Sequence, residues 1–468
     1  MNQNEIDLSK TTSGKNELGV LPVKSLLVKL AVPAIAAQIV NVLYNIVDRM
    51  YIGHIPETGA LALTGVGVCM PLIMLVAAFA ALASMGGAPR SSILLGKGDK
   101  KEAERTLGNC TMLLIILAIV LTVILLLYSE PLLLAFGASE NTIGFALDYM
   151  RIYALGTIFV QLSLGLNAFI SAQGFAKVSM QTILIGAIIN IILDPIFIFF
   201  FGMGVKGAAL ATVISQAISA IWVVVFLTGK GTTLKLRLKN FRIHGRTLWP
   251  CVLLGLSPFI MQSTESIISI CFNSSLLRYG GDTAVGAMTI LSSVMQFSML
   301  PLIGLAQGAQ PITGYNFGAR KPQRVREGFG LLLKYSLIYS MTLWAIVMLF
   351  PRVVASIFSN DVALLDYSAW AIRYYMFFAG VFGIQIACQQ TFIAIGNAKT
   401  SLFLAILRKI LLLIPLIYLL PMFIEDKAKG VFLAEPVADM IAVTTTAILF
   451  TIQFKKAMSK LEDEKAMA

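Results

Sequence analysis

Three carboxylic acids, Asp48, Asp194 and Glu265, fall inside stretches so apolar that a charge there needs a reason. A charge at bilayer depth costs about 2.5–3.5 kcal/mol on insertion scales, so acids in such places are usually functional. Asp48 ends the series Asn41, Tyr44, Asn45, Asp48, whose i, i+3, i+4, i+7 spacing puts four polar groups on one helical face. That face must look onto protein or water; pairing of Asp48 with its neighbour Arg49 near the membrane surface is the plainer alternative. Asp194 sits deep in the run 183–201 and precedes Pro195. Proline has no N–H and blocks the helical bond to the carbonyl of Ile191. A carboxylate beside a freed carbonyl, with Asn190 one turn earlier on the same face, can hold a proton or a small cation. Asp194 could then load a proton outside and release it inside, or merely bond to a neighbouring helix.

Glu265 shares a helical face with Gln262, Ser269 and Asn273. It is the anionic contact for a cationic cargo, a second ion site, or polar glue between helices. Met288, Met295 and Met299 fall at i, i+7 and i+11, with Met261 in the preceding apolar run. Methionine surfaces adapt to varied ligands, although core filling explains the same stripe. Gln161, Asn167, Gln296, Gln385 and Gln389 add amides without an assignable pattern. The expected ion-coupling set is Asp48, Asp194, Asn190, Asn41 and Tyr44. The expected substrate set is Glu265, Gln262, Met295, Met299 and Gln161.

Long apolar elements must position these groups. The chain of 468 residues is 57% hydrophobic and only 13% charged, about half the charge of a soluble domain. Uncharged runs such as 110–128 and 207–229 reach the roughly 20 residues a helix needs to span a bilayer. Apolar runs separated by charged or Gly/Pro-rich breaks predict twelve spans, near 25–48, 60–84, 107–128, 147–171, 178–201, 206–228, 250–277, 283–307, 328–350, 367–394, 401–422 and 431–454. The class is an all-α membrane protein.

The net charge of +12 does not point to nucleic acid, because the basic residues gather in particular loops. Arg90, Lys97, Lys100, Lys101 and Arg105 follow span two; Lys230, Lys235, Arg237, Lys239, Arg242 and Arg246 follow span six; Arg320, Lys321, Arg324 and Arg326 follow span eight. The segment 129–147 after span three has no Lys or Arg. Positive loops stay cytoplasmic, so both termini are expected inside; Lys427 and Lys429, accompanied by Glu425 and Asp426, are the exception. The five cysteines show no metal or disulfide spacing and read as packing residues. The polar segment 1–20 lacks a signal-peptide core. No Walker loop, zinc helix or nucleophile elbow is present, and His54 and His244 both lie in loops. Neither an enzyme nor a metal cofactor is expected.

One shift of 222 positions superposes Pro89 on Pro311, Gly96 on Gly318, Arg151 on Arg373 and Tyr153 on Tyr375. The same shift pairs Ala172, Gly174, Lys177 and Ser179 with Ala394, Gly396, Lys399 and Ser401, and Gly207 meets Gly430 one position later. Six spans per repeat means two parallel halves, with a substrate path expected between them. The expected division is an N-terminal cytoplasmic tail (1–24), a six-helix bundle (25–228), a basic cytoplasmic linker (229–249), a second bundle (250–454) and a C-terminal cytoplasmic tail (455–468). Arg151 and Arg373, near the outer ends of spans four and ten, read as structural or snorkelling charges.

The motifs Val47-Asp48-Arg49-Met50-Tyr51-Ile52-Gly53, Gly96-Lys97-Gly98-Asp99 with Gly318-Ala319-Arg320-Lys321, Ala172-Gln173-Gly174 with Ala394-Ile395-Gly396, and Asn190-Ile191-Ile192-Leu193-Asp194-Pro195 make the chain resemble the multidrug and toxic compound extrusion (MATE) family, in its DinF- and MepA-like bacterial branch. The likeness covers roughly 25–454. It implies two six-helix bundles forming a V and a secondary antiporter that expels cationic drugs using protons or sodium. It makes Asp48 and Asp194 the acids of helices one and five, forming with Asn190 the cation network of the first half. Glu265 matches the helix-seven acid of sodium-linked members. Those members carry a further acid late in helix ten, where this chain has neutral Gln389 and Asn397, and the departure favours protons at the first-half site.

The expected function is therefore alternating-access export of organic cations, coupled to protons, with sodium at Asp48 and Asp194 as the alternative ion. The expected setting is a monomer in the lipid of a bacterial cytoplasmic membrane. The charged motif of the major facilitator family is absent from 87–108. A lipid-linked precursor flippase, the rival of related architecture, needs a basic cleft, whereas the charges read within the spans are mainly acidic.

Overall fold

The computed structural model describes residues 17–466, and among these it is helical nearly throughout, with no strand. In lipid every backbone N–H and C=O must be satisfied within the segment, which leaves uncharged runs of this length one solution. The spans are α1 (Val23–Gly53), α2 (Gly59–Gly96), α3 (Lys100–Ala135), α4 (Ile143–Ala172), α5 (Ala176–Phe200) and α6 (Val205–Thr228). A single 74-residue run, Gly245–Gly318, follows. Its helical path is interrupted at Gly281, whose φ of 65° suits only a residue without a Cβ, so it is two spans, α7 (245–280) and α8 (281–318). Next come α9 (Pro322–Leu349), α10 (Val362–Tyr375 and Ala379–Ala394, bent by 51° at the break), α11 (Ala398–Phe423) and α12 (Lys427–Glu464). The chain is thus a multi-pass membrane protein with twelve crossings.

Pro195 does what its chemistry requires. The regular helix ends there, and Ile196–Phe200 forms a π-helical turn in which Phe201 N–H reaches the carbonyl of Ile196, five residues back (2.9 Å). A second π-helical segment, Leu407–Leu413, lies in α11, the counterpart of α5 in the second half.

Several helices outrun the hydropathy limits. The second span continues to Gly96 rather than 84, and the third begins at Lys100 rather than 107. The charged ends stay helical, and in α2 the helix runs through Gly86, Gly87 and Pro89 without ending. Helix persists through Ala466, across the expected C-terminal tail. There Met458 and Leu461 pack on Val325, and Glu462 pairs with Arg326 (2.8 Å). Of the expected N-terminal tail, residues 1–16 lie outside the described residues. Its end is held: Leu18 is buried, and its carbonyl accepts bonds from Asn316 Nδ2 (2.9 Å) and an Arg324 guanidinium N–H (3.1 Å). The segment between α6 and α7 is also tied down. Gln173 Oε1 accepts from Thr232 Oγ1, Thr233 N–H and Leu234 N–H (2.8–2.9 Å), and Arg237 pairs with Glu104 (2.9 Å).

Glycines bring the two halves into backbone contact. A Cβ on Gly86 or Gly255 would strike the backbone of Cys251 or Leu82, joining α2 to α7. Gly96 and Gly318 do the same between α2 and α8, while Gly304 and Gly308 seat against Ile35 and Ala31 of α1. Because successive helices alternate in direction, all these contacts lie on one side of the membrane, the side where α1 begins.

Candidate functional site

In the first half, the polar face of α1 meets the π-turned end of α5. Asp48 is 6% exposed and Asp194 is fully buried, and their carboxyl groups come close enough to repel each other when both are charged. Arg49, next to Asp48 in the chain, turns outward and makes no ion pair with it among the described residues. Asn190 Nδ2 donates to Asp194 Oδ1 (3.3 Å) and approaches Thr212 Oγ1 of α6 at 3.5 Å. Tyr44 lies beside Asn45 and Asp48, and Tyr149 and Tyr153 of α4 stack nearby at 6.2 Å. Asn45 Nδ2 turns back to the carbonyl of Asn41 (2.5 Å). Asp48 Oδ1, Asp194 Oδ2 and Asn190 Oδ1 have no hydrogen-bond partner. Three unpartnered buried acceptors converging from two helices make an environment that a proton or a small cation would relieve. Among the described residues no three His, Cys, Asp or Glu side chains converge as a metal-binding group.

The second half holds charges that the sequence reading passed over. Three intramembrane acids were expected; Glu435 and Asp439 of α12 raise the number to five, and Arg408 and Lys409 of α11 add two cations. Arg408 Nε donates to Asp439 (2.7 Å) and its terminal N–H to Glu435 (2.9 Å), while its guanidinium lies over the Phe382 ring at 4.6 Å. Lys409 Nζ donates to Glu265 (2.8 Å). The π-helical segment 407–413 carries both cations. The signal was available: Arg408-Lys409 falls inside 401–422, and Glu435 and Asp439 stand i, i+4 inside 431–454. A span hydropathy averages such charges away. Five acids stand against these two cations, so the within-span charge is still mainly acidic. Both are tied to carboxylates, and three acids against two bases leave this cluster net acidic.

The proposed substrate residues scatter. Glu265 stands in the charged cluster with its side chain 66% exposed. In a membrane-spanning helix such a carboxylate faces an aqueous opening rather than lipid, and Ser269 and Asn273 continue its exposed stripe. Gln262 is half-buried one turn away. Gln161 is instead fully buried between α4 and α2, donating from Nε2 to the carbonyl of Val76 (2.7 Å). Met295 and Met299 pack against two different hydrophobic clusters, which is the core-filling alternative for the methionine stripe. Gln389, at the place of the sodium-linked acid, ties α10 to Ser257 of α7 and Ser401 of α11 at 2.8–3.0 Å.

Comparison with known proteins agrees with this architecture. The chain matches the MatE family over residues 33–196 and 258–419, one segment in each half. The multidrug export protein MepA of Staphylococcus haemolyticus is 25% identical over 390 residues, covering 83% of this chain and 85% of that protein. MepA of Staphylococcus aureus is 24% identical over 399 residues, covering 85% and 87%. Among solved structures, MATE in the bent conformation superposes with a TM-score of 0.89 over 98% of this chain and 100% of its own, at 24% identity. A multidrug resistance MATE family transporter of the MOP superfamily, in an outward-facing conformation, gives 0.87 over 97% and 99%, at 25% identity. With a family match in each half and a fold shared from end to end, the chain belongs to the MatE family, the multidrug and toxic compound extrusion transporters.

Proposed function

We propose that this chain is a cation-coupled antiporter, with the proton as coupling ion, that exports organic cations and drugs by alternating access. The observation that carries the reading is the closeness of two buried carboxyl groups, Asp48 and Asp194, on different helices. Two carboxylates this close repel unless a proton or a cation sits between them. Gain or loss of that ion therefore decides whether the end of α1 and the bend of α5 stay together. The other end of α1 is seated on Gly304 and Gly308 of the second half, so a charge change at Asp48 acts on a helix that belongs to the interface between the halves. The relatives named above are multidrug exporters, which supports organic cations as cargo, and the exposed Glu265 offers them an anion.

The working form is a monomer in the bacterial cytoplasmic membrane, with both termini inside. On that orientation the glycine contacts hold the halves together on the cytoplasmic side, as expected of an outward-open state. Cargo enters from the cytoplasm when the halves rock the other way; a proton arriving at Asp194 and Asp48 from outside favours its release. Exchange of one proton for one monovalent organic cation moves no net charge, so the proton gradient drives it, each pH unit supplying about 1.4 kcal/mol, a tenfold drug gradient.

The test is ethidium transport in everted vesicles under an imposed proton or sodium gradient. The proton gradient should drive uptake and the sodium gradient should not. Asp194→Asn should abolish uptake with unchanged membrane expression. Uptake undiminished in that variant removes Asp194 from the mechanism, and sodium-driven uptake moves the assignment to the alternative ion.

A further inference from the structure

Lys409 and Glu265 are an unequal pair. The Lys409 side chain is 8% exposed and the Glu265 side chain 66%, so the ammonium reaches out of the wall of the second half to a carboxylate that stands in the opening. Its neighbour Arg408 is held by two carboxylates and an aromatic face. Lys409 has one carboxylate partner, contacted at Oε2 only. An ammonium has three N–H donors on a flexible stem, so Lys409 is the cation of this cluster that is free to move.

Behind it is a place to go. A recess lined by Lys409, Arg408, Met261, Gln385, Gln389 and Gln390 has a cavity volume of about 20 Å³. An ammonium is close to the size of a water molecule, which needs roughly 10–15 Å³ of such room, so the recess holds one. The amide oxygens of all three glutamines have no hydrogen-bond partner, although Gln385 and Gln389 are only 5% and 3% exposed. The Gln389 amide is not free to flip, because its nitrogen is engaged by Ser257 and Ser401. Buried acceptors without donors are costly, and the ammonium beside them has donors to spare. Arg408 opposes its entry, but Glu435 and Asp439 already neutralise Arg408.

We propose that Lys409 is a built-in competitor for cationic cargo: its ammonium occupies Glu265 when the site is vacant, and withdraws to the amide oxygens of Gln385, Gln389 and Gln390 when an organic cation takes the carboxylate. This rests on the reading of the chain as an exporter of organic cations, and it assigns the cargo contact to Glu265 and the specificity to Lys409. The exchange conserves charge at Glu265, one monocation replacing another. A cargo must therefore outbid a tethered ammonium, which favours delocalised or aromatic cations with additional apolar contact over small hydrated ones.

The experiment is ethidium binding to purified, full-length protein in nanodiscs, followed by fluorescence polarisation. Lys409→Met should bind about tenfold tighter than wild type, because the competitor is gone. Lys409→Arg, which keeps the charge, should not show the gain. Glu265→Gln should weaken binding, and adding Lys409→Met to it should restore nothing. Gln385→Leu removes part of the retreat and should weaken ethidium binding while leaving the Lys409→Met gain intact. Binding by Lys409→Met that is no tighter than wild type, or a gain that persists in the Glu265→Gln background, overturns the proposal. Wild-type protein that binds no organic cation overturns the exporter reading as well; wild-type binding without a Lys409 effect sinks this proposal alone.

Discussion

The two halves share a frame and differ in where they put charge. Asn167 of α4 donates to the carbonyl of Ser179 on α5 (3.2 Å), and Gln389 of α10 donates to the carbonyl of Ser401 on α11 (2.9 Å). Both residues of the second pair lie 222 positions after those of the first. The duplicated packing bond has survived. Around it the chemistry has diverged: Gly186 and Ala187 of α5 correspond to Arg408 and Lys409 of α11. In the register set by Gly207 and Gly430, Thr212 and Gln216 of α6 correspond to Glu435 and Asp439 of α12. The first half thus keeps two acids close together with no cation paired to either among the described residues, while the second surrounds two cations with three acids. An uncompensated pair can exchange an ion; a compensated cluster holds its helices together and yields only where one member is loosely held.

Removing charge should therefore have opposite effects in the two halves. Arg408→Ala leaves Glu435 and Asp439 buried without a counter-ion, and should cost about 3–5 kcal/mol, seen as a large fall in the unfolding temperature of the purified protein. Asp194→Asn removes a repulsion and should leave that temperature unchanged or raised, although transport is lost. Equal destabilisation by the two variants would break the contrast. The shared frame gives a finer comparison. Gln389→Leu removes three hydrogen bonds linking α7, α10 and α11, and should cost about 1–3 kcal/mol. Its repeat mate Asn167 makes one such bond, so Asn167→Leu should cost about 0.5–1.5 kcal/mol, measured in the same thermal assay. A reversed order would mean that the two bonds are not equivalent parts of the frame.

The spans were legible because a bilayer permits little else for apolar runs of this length, and the repeat was legible because glycine and proline positions outlast side-chain drift. The split of the long central run at Gly281 was anticipated by a gap between two hydropathy peaks. What hydropathy could not supply was the helix ends, since Lys100 and Glu464 lie where water, not lipid, surrounds the turn. The 51° bend in α10 was not anticipated either. Its break falls at residues 376–378, Met-Phe-Phe, which carry no breaker.

The site was half legible. Asp48, Asn190 and Asp194 could each be named from local pattern, but the closeness of Asp48 and Asp194 involves residues 146 positions apart and exists only once α1 and α5 pack. Arg408, Lys409, Glu435 and Asp439 were visible one by one and overlooked, because their sum is nearly neutral and their helices stay apolar on average. Gln173, in the Ala-Gln-Gly motif, shows the limit of motif reading: it holds the linker between the halves, 59–61 positions away, a role the motif alone does not reveal.

The central claim is that the Asp48–Asp194 pair gives up a proton as cargo binds. It is tested most directly by adding ethidium to purified protein in weakly buffered solution and following proton release with a pH dye. Wild type should release protons in proportion to cargo bound, and Asp48→Asn/Asp194→Asn should release none. No release from wild type, or undiminished release from the double variant, contradicts the account.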